Sequence, residues 1–318
     1  MFGKLPSTAS PLLSGPVIFQ GLLWKPIPQF FPWVTAQNQS FGSSIYHSLQ
    51  ASFRKQFASG GLITAAYTWS KLLSDVDTTT PMGEGAYMFI GGGSMGGQNA
   101  YDRRAERGPA RYDVPHRLVV SYALDLPFGK GKRWLNSGDN LAAKLFSNWG
   151  VNGITTFQSG VPLVIQTVAP TLNGLPLNVF MGITPFGLRP NVVAGCNKKI
   201  EGSEGDRLNE YFNTACFSQP AVVGFGNPFG NQPMNDPHLR AQGIANFDFS
   251  IYKSMQITEQ VGMQFRVEAF NIFNRTQFAP PGGTFNPATL GTAGDTFGKV
   301  TSTANAPRQI QLALRIQF

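Results

Sequence analysis

The last ten residues, Gln309-Ile310-Gln311-Leu312-Ala313-Leu314-Arg315-Ile316-Gln317-Phe318, alternate without a break. Apolar side chains occupy 310, 312, 314, 316 and 318, and polar or small ones occupy the positions between. Successive side chains of a β-strand point to opposite faces, so this segment has one oily face and one carrying Gln, Gln, Arg and Gln. A soluble sandwich also uses such alternation, but seldom as its final residues. A membrane barrel requires it, with apolar side chains toward lipid, polar ones toward a wet lumen and an aromatic at the interface.

Six upstream segments repeat the pattern. Ile45 to Phe57 sets Ile45, Leu49, Ala51, Phe53 and Phe57 against Tyr46, Ser48, Gln50, Ser52, Arg54 and Gln56, with His47 and Lys55 on the apolar side. The turn Ala58-Ser59-Gly60-Gly61 leads into Leu62 to Lys71, a hairpin signature. His116 to Leu126, Ser147 to Gln158 (with a continuation to Gln166 past Pro162), Ala245 to Ile257 and Gly262 to Phe273 follow, and Arg308 to Phe318 closes the series. Helical periodicity is hinted only near Asn140 to Phe146 and Gly205 to Tyr211.

The connections run short, long, moderate, long, short, long, the long ones being about 72–115, 168–244 and 274–306. Outer-membrane barrels place short turns on the periplasmic side and long loops outside. With Phe318 ending at the periplasm, all three long loops fall outside. The expected fold is all-β: antiparallel up-and-down strands of a transmembrane β-barrel wall, incomplete at seven strands, with three long external loops. Single-chain bacterial barrels use even strand numbers, so the chain is expected to be a fragment or truncated product of a larger wall. Its domains are an irregular lead-in over 1–42 and the barrel part over 43–318. No run of eighteen apolar residues occurs, and Pro6, Pro11 and Pro16 interrupt the first twenty residues, which do not read as a signal peptide.

Charged residues make up 13% of the 318, with 36 Gly and 23 Pro, a profile for turns and loops rather than long helices. The net charge of +8 is spread along strands and turns instead of forming one stripe, so nucleic acid is not an expected partner. The only cysteines, Cys196 and Cys216, share one loop and are a disulfide candidate, with two free thiols as the alternative. No Cys-x-x-Cys or His cluster accompanies them, so no metal or other cofactor is expected.

Catalysis is not expected either. Gly92-Gly93-Ser94-Met95-Gly96 fits the hydrolase pattern G-x-S-x-G, and the same run fits G-x-G-x-x-G. Neither lies in the strand-turn-helix context that would hold a nucleophile or cradle a phosphate. His116 and His238 have no sequence feature that sets them beside Ser94.

Several spaced motifs carry a family resemblance: Tyr67-Thr68-Trp69-Ser70-Lys71; Asp113-Val114-Pro115-His116-Arg117 leading to Leu126-Pro127-Phe128-Gly129-Lys130-Gly131; and Phe265-Arg266-Val267-Glu268-Ala269-Phe270-Asn271-Ile272-Phe273-Asn274. With the terminal aromatic, the chain resembles the carboxyl-terminal barrel portion of Oar-like TonB-dependent outer-membrane receptors of the kind found in Acidobacteria, over Ile45 to Phe318. That resemblance implies an outer-membrane location in a Gram-negative bacterium and uptake of a large or scarce solute such as an oligosaccharide or chelate. It also implies outer-membrane lipid as a neighbour and a TonB system acting through a plug domain not visible in this sequence. The terminal strand, with Ile310, Leu312, Leu314, Ile316 and Phe318, resembles the signal read by the barrel-assembly machinery. The competing readings are a non-transporting structural or adhesin-like surface protein and, more distantly, a secreted soluble β-sandwich enzyme.

Within this frame Arg54, Asp125, Asp248, Arg266, Glu268 and Arg315 are expected to face the lumen, since charges toward lipid are destabilising. Lys55 and Lys253, on oily faces, should sit near strand ends where they can snorkel. Tyr67, Trp69, Tyr122, Trp134, Trp149 and Phe318 are candidates for interfacial girdles. Tyr87, Phe89, Tyr101, Phe180, Phe186, Tyr211 and Phe229 are loop candidates for ligand contact, because loops carry specificity on rigid scaffolds.

Overall fold

The computed structural model describes residues 42–58, 60–75, 102, 104–129, 132–134, 145–168, 171–172, 175–176, 188–203, 205–221 and 229–318. Seven long strands form one antiparallel sheet in chain order: β1 (Ser44–Gln56), β2 (Gly61–Ser74), β3 (His116–Asp125), β4 (Trp149–Gln158), β5 (Ile244–Gln256), β6 (Gly262–Phe270) and β7 (Gln309–Gln317). The two-residue strand Gly108–Pro109 adds to the end of β2. Residues 145–146 are α-helical, within the segment Asn140 to Phe146 where the sequence hints at a helix. Gly205 to Tyr211, expected as weakly helical, begins as a helix would, with Ser203 and Asp206 bonded reciprocally as in a capping box and the Arg207 N–H on the Ser203 carbonyl at 3.2 Å, but it forms turns only.

The register brings all seven oily sets onto one side. One ladder row runs Lys55, Ile63, Tyr122, Gly153, Phe249, Ala269, Ile310, each paired with the next. Residues paired across strands share a face, and a slip of one position would turn a strand's apolar set over. No strand has slipped. The oily face is uncovered among the described residues: Leu49, Phe53, Trp69, Phe265, Leu314 and Ile316 are exposed, and Leu312 is 67% exposed.

The same row measures the strand tilt. Lys55 stands one residue before the end of β1 and Ile310 seven before the end of β7, a stagger of six residues over six strand-to-strand steps. With ~3.4 Å per residue and ~4.8 Å per step, level strand ends on the short-turn side correspond to a tilt of roughly 35°, in the range of barrel walls.

The short connections 57–60 and 257–261 and the moderate one 126–148 lie at one end of the sheet, and 75–115, 159–243 and 271–308 lie at the other. β1 and β7, the two edges, therefore run in the same direction. Closing this sheet with antiparallel pairing requires an odd number of further strands.

Strand ends differ from the periodicity in two places. The pattern predicts β4 continuing past Pro162, but the strand stops at Gln158, and Pro162 makes only an isolated bridge to Arg240. Pro lacks the N–H that a ladder needs. The pattern also carries β6 to Phe273, but the strand ends at Phe270, where Asn271 and Asn274 turn left-handed with φ of 50° each. The Asn271 backbone N–H donates to Asp248 at 2.9 Å, its Oδ1 accepts from the Arg275 N–H at 2.9 Å, and its Nδ2 donates to the carbonyls of Arg275 and Ala306. Asn tolerates this conformation better than most residues and its side chain closes the corner. Asn271→Ala is expected to destabilise the fold by about 2 kcal/mol, from backbone strain plus lost buried hydrogen bonds, and Asn271→Gly by less because only the bonds are lost. Denaturant midpoints of the two variants check both the size and the order.

The buried apolar core lies in the long loops instead of under the sheet. Leu163, Ile165, Phe212, Phe217, Leu239, Phe285 and Phe297 form it, with Tyr211 and Cys216. Thr284–Phe285 pairs in parallel with Gln166–Thr167, and Phe217–Ser218 pairs antiparallel with Asn191–Val192. The second and third long loops are thus one packed cap on the end of the wall.

Candidate functional site

Two structures make up the candidate site: the polar face of the wall and the loop cap. Register puts all six expected charged residues on the polar face. Arg54 shares a row with Thr64, Ser121, Ile154 and Asp248; Glu268 pairs with Ser250, Arg266 with Tyr252 and Arg315 with Gln264; Asp125 pairs with Gly150. Tyr252 lies across Gly150, where a Cβ would meet its ring at 2.3 Å, and its hydroxyl donates to Asp125. Lys132 stands 3.6 Å from Asp125. Arg266 donates to Glu268 at 3.3 Å and to Gln264 at 3.0 Å, with its guanidinium 5.8 Å from the Tyr252 ring centre. One connected network, Asp125–Tyr252–Arg266–Glu268, therefore spans four strands.

On the opposite face Tyr122 covers Gly153 in the same way. Tyr67 and Trp69 stand toward the long-loop end, with the Tyr67 hydroxyl 2.9 Å from His116 Nδ1. Trp149 stands at the short-turn end, and Lys253 donates to the carbonyls of Leu145 and Ser147 at 2.8 and 2.9 Å while its ammonium lies 5.3 Å from the Trp149 ring centre. Lys253 is three residues from the end of β5 and Lys55 one from the end of β1. Trp134 packs against Phe128 at 5.5 Å in the moderate turn, and Phe318 is fully exposed. Phe157, Phe247 and Phe273 add an aromatic ladder at the long-loop end that the girdle expectation missed.

The cap is laced by buried ion pairs, which scattered single charges in the sequence do not reveal. Arg189 makes two 2.6 Å bonds to Glu106, both residues being buried. Asp113 is fully buried, accepts from the Leu72 N–H at 2.7 Å and from Arg240 at 2.6 Å, and so ties β2 to the first and second long loops. Lys198 pairs with buried Asp236. Burial alone would push the Asp236 carboxyl up, but bonds from Lys198, Gln232 and the His238 N–H outweigh it and hold it below the ordinary carboxylate range. A depressed carboxylate contributes stability that is fully present above the ordinary value near 4 and is lost as pH falls through its lower folded value. Amide exchange in the cap is therefore expected to accelerate below about pH 4, and Asp236→Asn to flatten that dependence.

Cys196 and Cys216 are bonded, with Cα atoms 5.5 Å apart, at the edge of the aromatic core. Tyr211, expected to offer a loop surface to ligand, is only 7% exposed: it packs in that core, its hydroxyl donates to the Arg240 carbonyl at 3.2 Å, and Arg207 covers its ring. The pull of a nearby apolar cluster overrides its loop position in the sequence. Phe229 is half-buried. Tyr87, Phe89, Tyr101, Phe180, Phe186 and the Gly92–Gly96 run with Ser94 lie outside the described residues. No group of three or more His, Cys, Asp and Glu residues fit to hold a metal occurs among the described residues.

A wall with one mainly apolar face, one mainly polar face, tilted strands and long loops at one end defines an outer-membrane β-barrel. Residues 11–311 match the family of outer membrane beta barrel domains, and the chain belongs to that family. It is a protein of the outer membrane. No curated protein matches the sequence. Among solved structures, the outer membrane transporter YddB from Escherichia coli aligns with a TM-score of 0.37 at 9% identity, over 87% of this chain and 25% of that one. The chain thus spans a quarter of that transporter's length.

Proposed function

We propose that the chain is the carboxyl-terminal barrel part of an Oar-like TonB-dependent receptor, a non-enzymatic wall that takes part in energised solute uptake. Its oily face meets outer-membrane lipid, its polar face lines the lumen and its external loops contact solute. The observation that carries the reading is the wall itself: seven strands of one register whose two edges run the same way, so that it serves as a sector of a larger cylinder. The motifs Asp113-Val114-Pro115-His116-Arg117 and Phe270-Asn271-Ile272-Phe273-Asn274, which carry the resemblance, fall at the two corners that fasten this sector to its cap. On this reading the barrel-assembly machinery handles the terminal strand β7, and TonB acts through a plug domain that the described residues do not form.

The test is uptake in cells carrying the complete reading frame. Accumulation of solute should stop on deletion of TonB or collapse of the proton-motive force. Cells that express the protein on the surface but accumulate nothing in a TonB-dependent way would instead support the adhesin-like alternative.

A further inference from the structure

The lumen-side wall is not uniformly polar. Ile154 is 50% exposed and Phe270 42% exposed, and both stand on the face that carries Arg54, Ser121, Asp248, Arg266 and Glu268. Leu62 and Ala123 extend the apolar area toward β2 and β3. Together they line a hollow of about 400 Å³ open to the lumen side. An exposed apolar island on a wet wall is a binding feature unless something covers it.

Polar groups are interleaved with it. Asn152 pairs with Ser250, and Ser250 with Glu268, along one ladder row; Ile154 pairs with Asp248 in the next, and Phe270 follows beside it. Rows on one face are ~7 Å apart and strands ~4.8 Å apart, so the patch has the footprint of one or two six-membered rings. Ser250 is 6% exposed, lines the hollow, and its Oγ meets no hydrogen-bond partner among the described residues. A buried hydroxyl without a partner calls for a specific explanation, and a ligand hydroxyl supplies one. The two carboxylates in the hollow argue against an anionic occupant: Arg266 engages Glu268 from the row below, and Asp248 is held by Asn246 and the Asn271 N–H rather than by a cation.

We propose that this hollow is a solute subsite for an uncharged, hydroxyl-rich ligand with an apolar face, the chemistry of a sugar ring. The ring's C–H face lies on Phe270 and Ile154. Its hydroxyls donate to Asp248 and Glu268 and exchange bonds with Asn152 and Ser250. The assignment rests on the uptake reading above and names the solute class for it.

Calorimetric titration of the folded full chain in detergent with maltoheptaose, cellohexaose, xylohexaose and ferric citrate tests it. At least one neutral oligosaccharide should bind, and ferric citrate should not compete. Phe270→Ala should weaken that binding about tenfold, and Phe270→Tyr should preserve it. Asn152→Leu, which leaves the platform intact, should also weaken it. The assignment is overturned if none of the three sugars binds to chain with native heat-modifiable mobility. It is equally overturned if sugar binding survives both Phe270→Ala and Asn152→Leu, or if ferric citrate occupies the hollow. Sugar binding together with TonB-independent accumulation would instead defeat the uptake reading and leave the subsite standing.

Discussion

Leu312→Arg is expected to destabilise the folded chain in a bilayer by about 2–4 kcal/mol, whereas Gln311→Arg, one residue earlier, should change it by less than about 0.5 kcal/mol. The two positions are adjacent on β7 and point to opposite faces. Leu312 pairs with Val267, which pairs with Ile251, in the middle rows of the oily face. A guanidinium there must be hydrated in hydrocarbon or drag its strand toward an interface. Gln311 pairs with Glu268 on the polar face, where an added Arg gains a carboxylate neighbour. Urea titrations in liposomes, read by heat-modifiable gel mobility, give both numbers. Equal effects at the two positions would contradict a lipid-facing assignment of the oily side.

Phe297→Ala is expected to cost the loop cap about 3–5 kcal/mol while leaving the wall folded. Phe297 is 1% exposed and sits edge-to-face with Phe212 at 5.1 Å, Phe285 at 5.4 Å and Phe217 at 5.5 Å. Truncation removes the ring that the other three share, and the cavity lies between two loops far apart in sequence. The strands depend on their ladders and on the register of their faces, so their mobility shift should persist. Limited proteolysis should then cut within 159–243 and 271–308 at least tenfold faster than in the parent, with the strand fragments intact. Loss of the wall together with the cap would show that the two fold as one unit.

The wall was legible in the sequence because its information is local. Period-two alternation in each strand, as in Gln309 to Gln317, names both the element and the side it turns outward, and the alternation of short and long connections orders the strands. The cap was not legible, because its information is long-range. Phe212, Phe217, Phe285 and Phe297 follow no period, and nothing near Tyr211 marks it as buried instead of exposed. The pairs Glu106–Arg189 and Asp113–Arg240 join residues 83 and 127 positions apart. Arg, Asp and Glu mark the polar face as charged and wet, and they give no sign of Ile154 and Phe270, each an isolated apolar residue among the polar alternates of its own strand. Asn271 and Asn274 stand in the sequence as members of a motif, and nothing local shows that the backbone turns left-handed at both to make the corner after β6.

Same-sense borders also limit how copies of this ribbon can associate. Two molecules inserted the same way up could join border to border only through a parallel seam, and a pair related by a twofold axis in the membrane plane would put the two disulfide-bearing loops on opposite sides of the membrane. A closed cylinder that includes this ribbon therefore needs an odd number of further strands between its borders, and a split-barrel reconstitution should seal with added strand sets of odd number and leak with even ones.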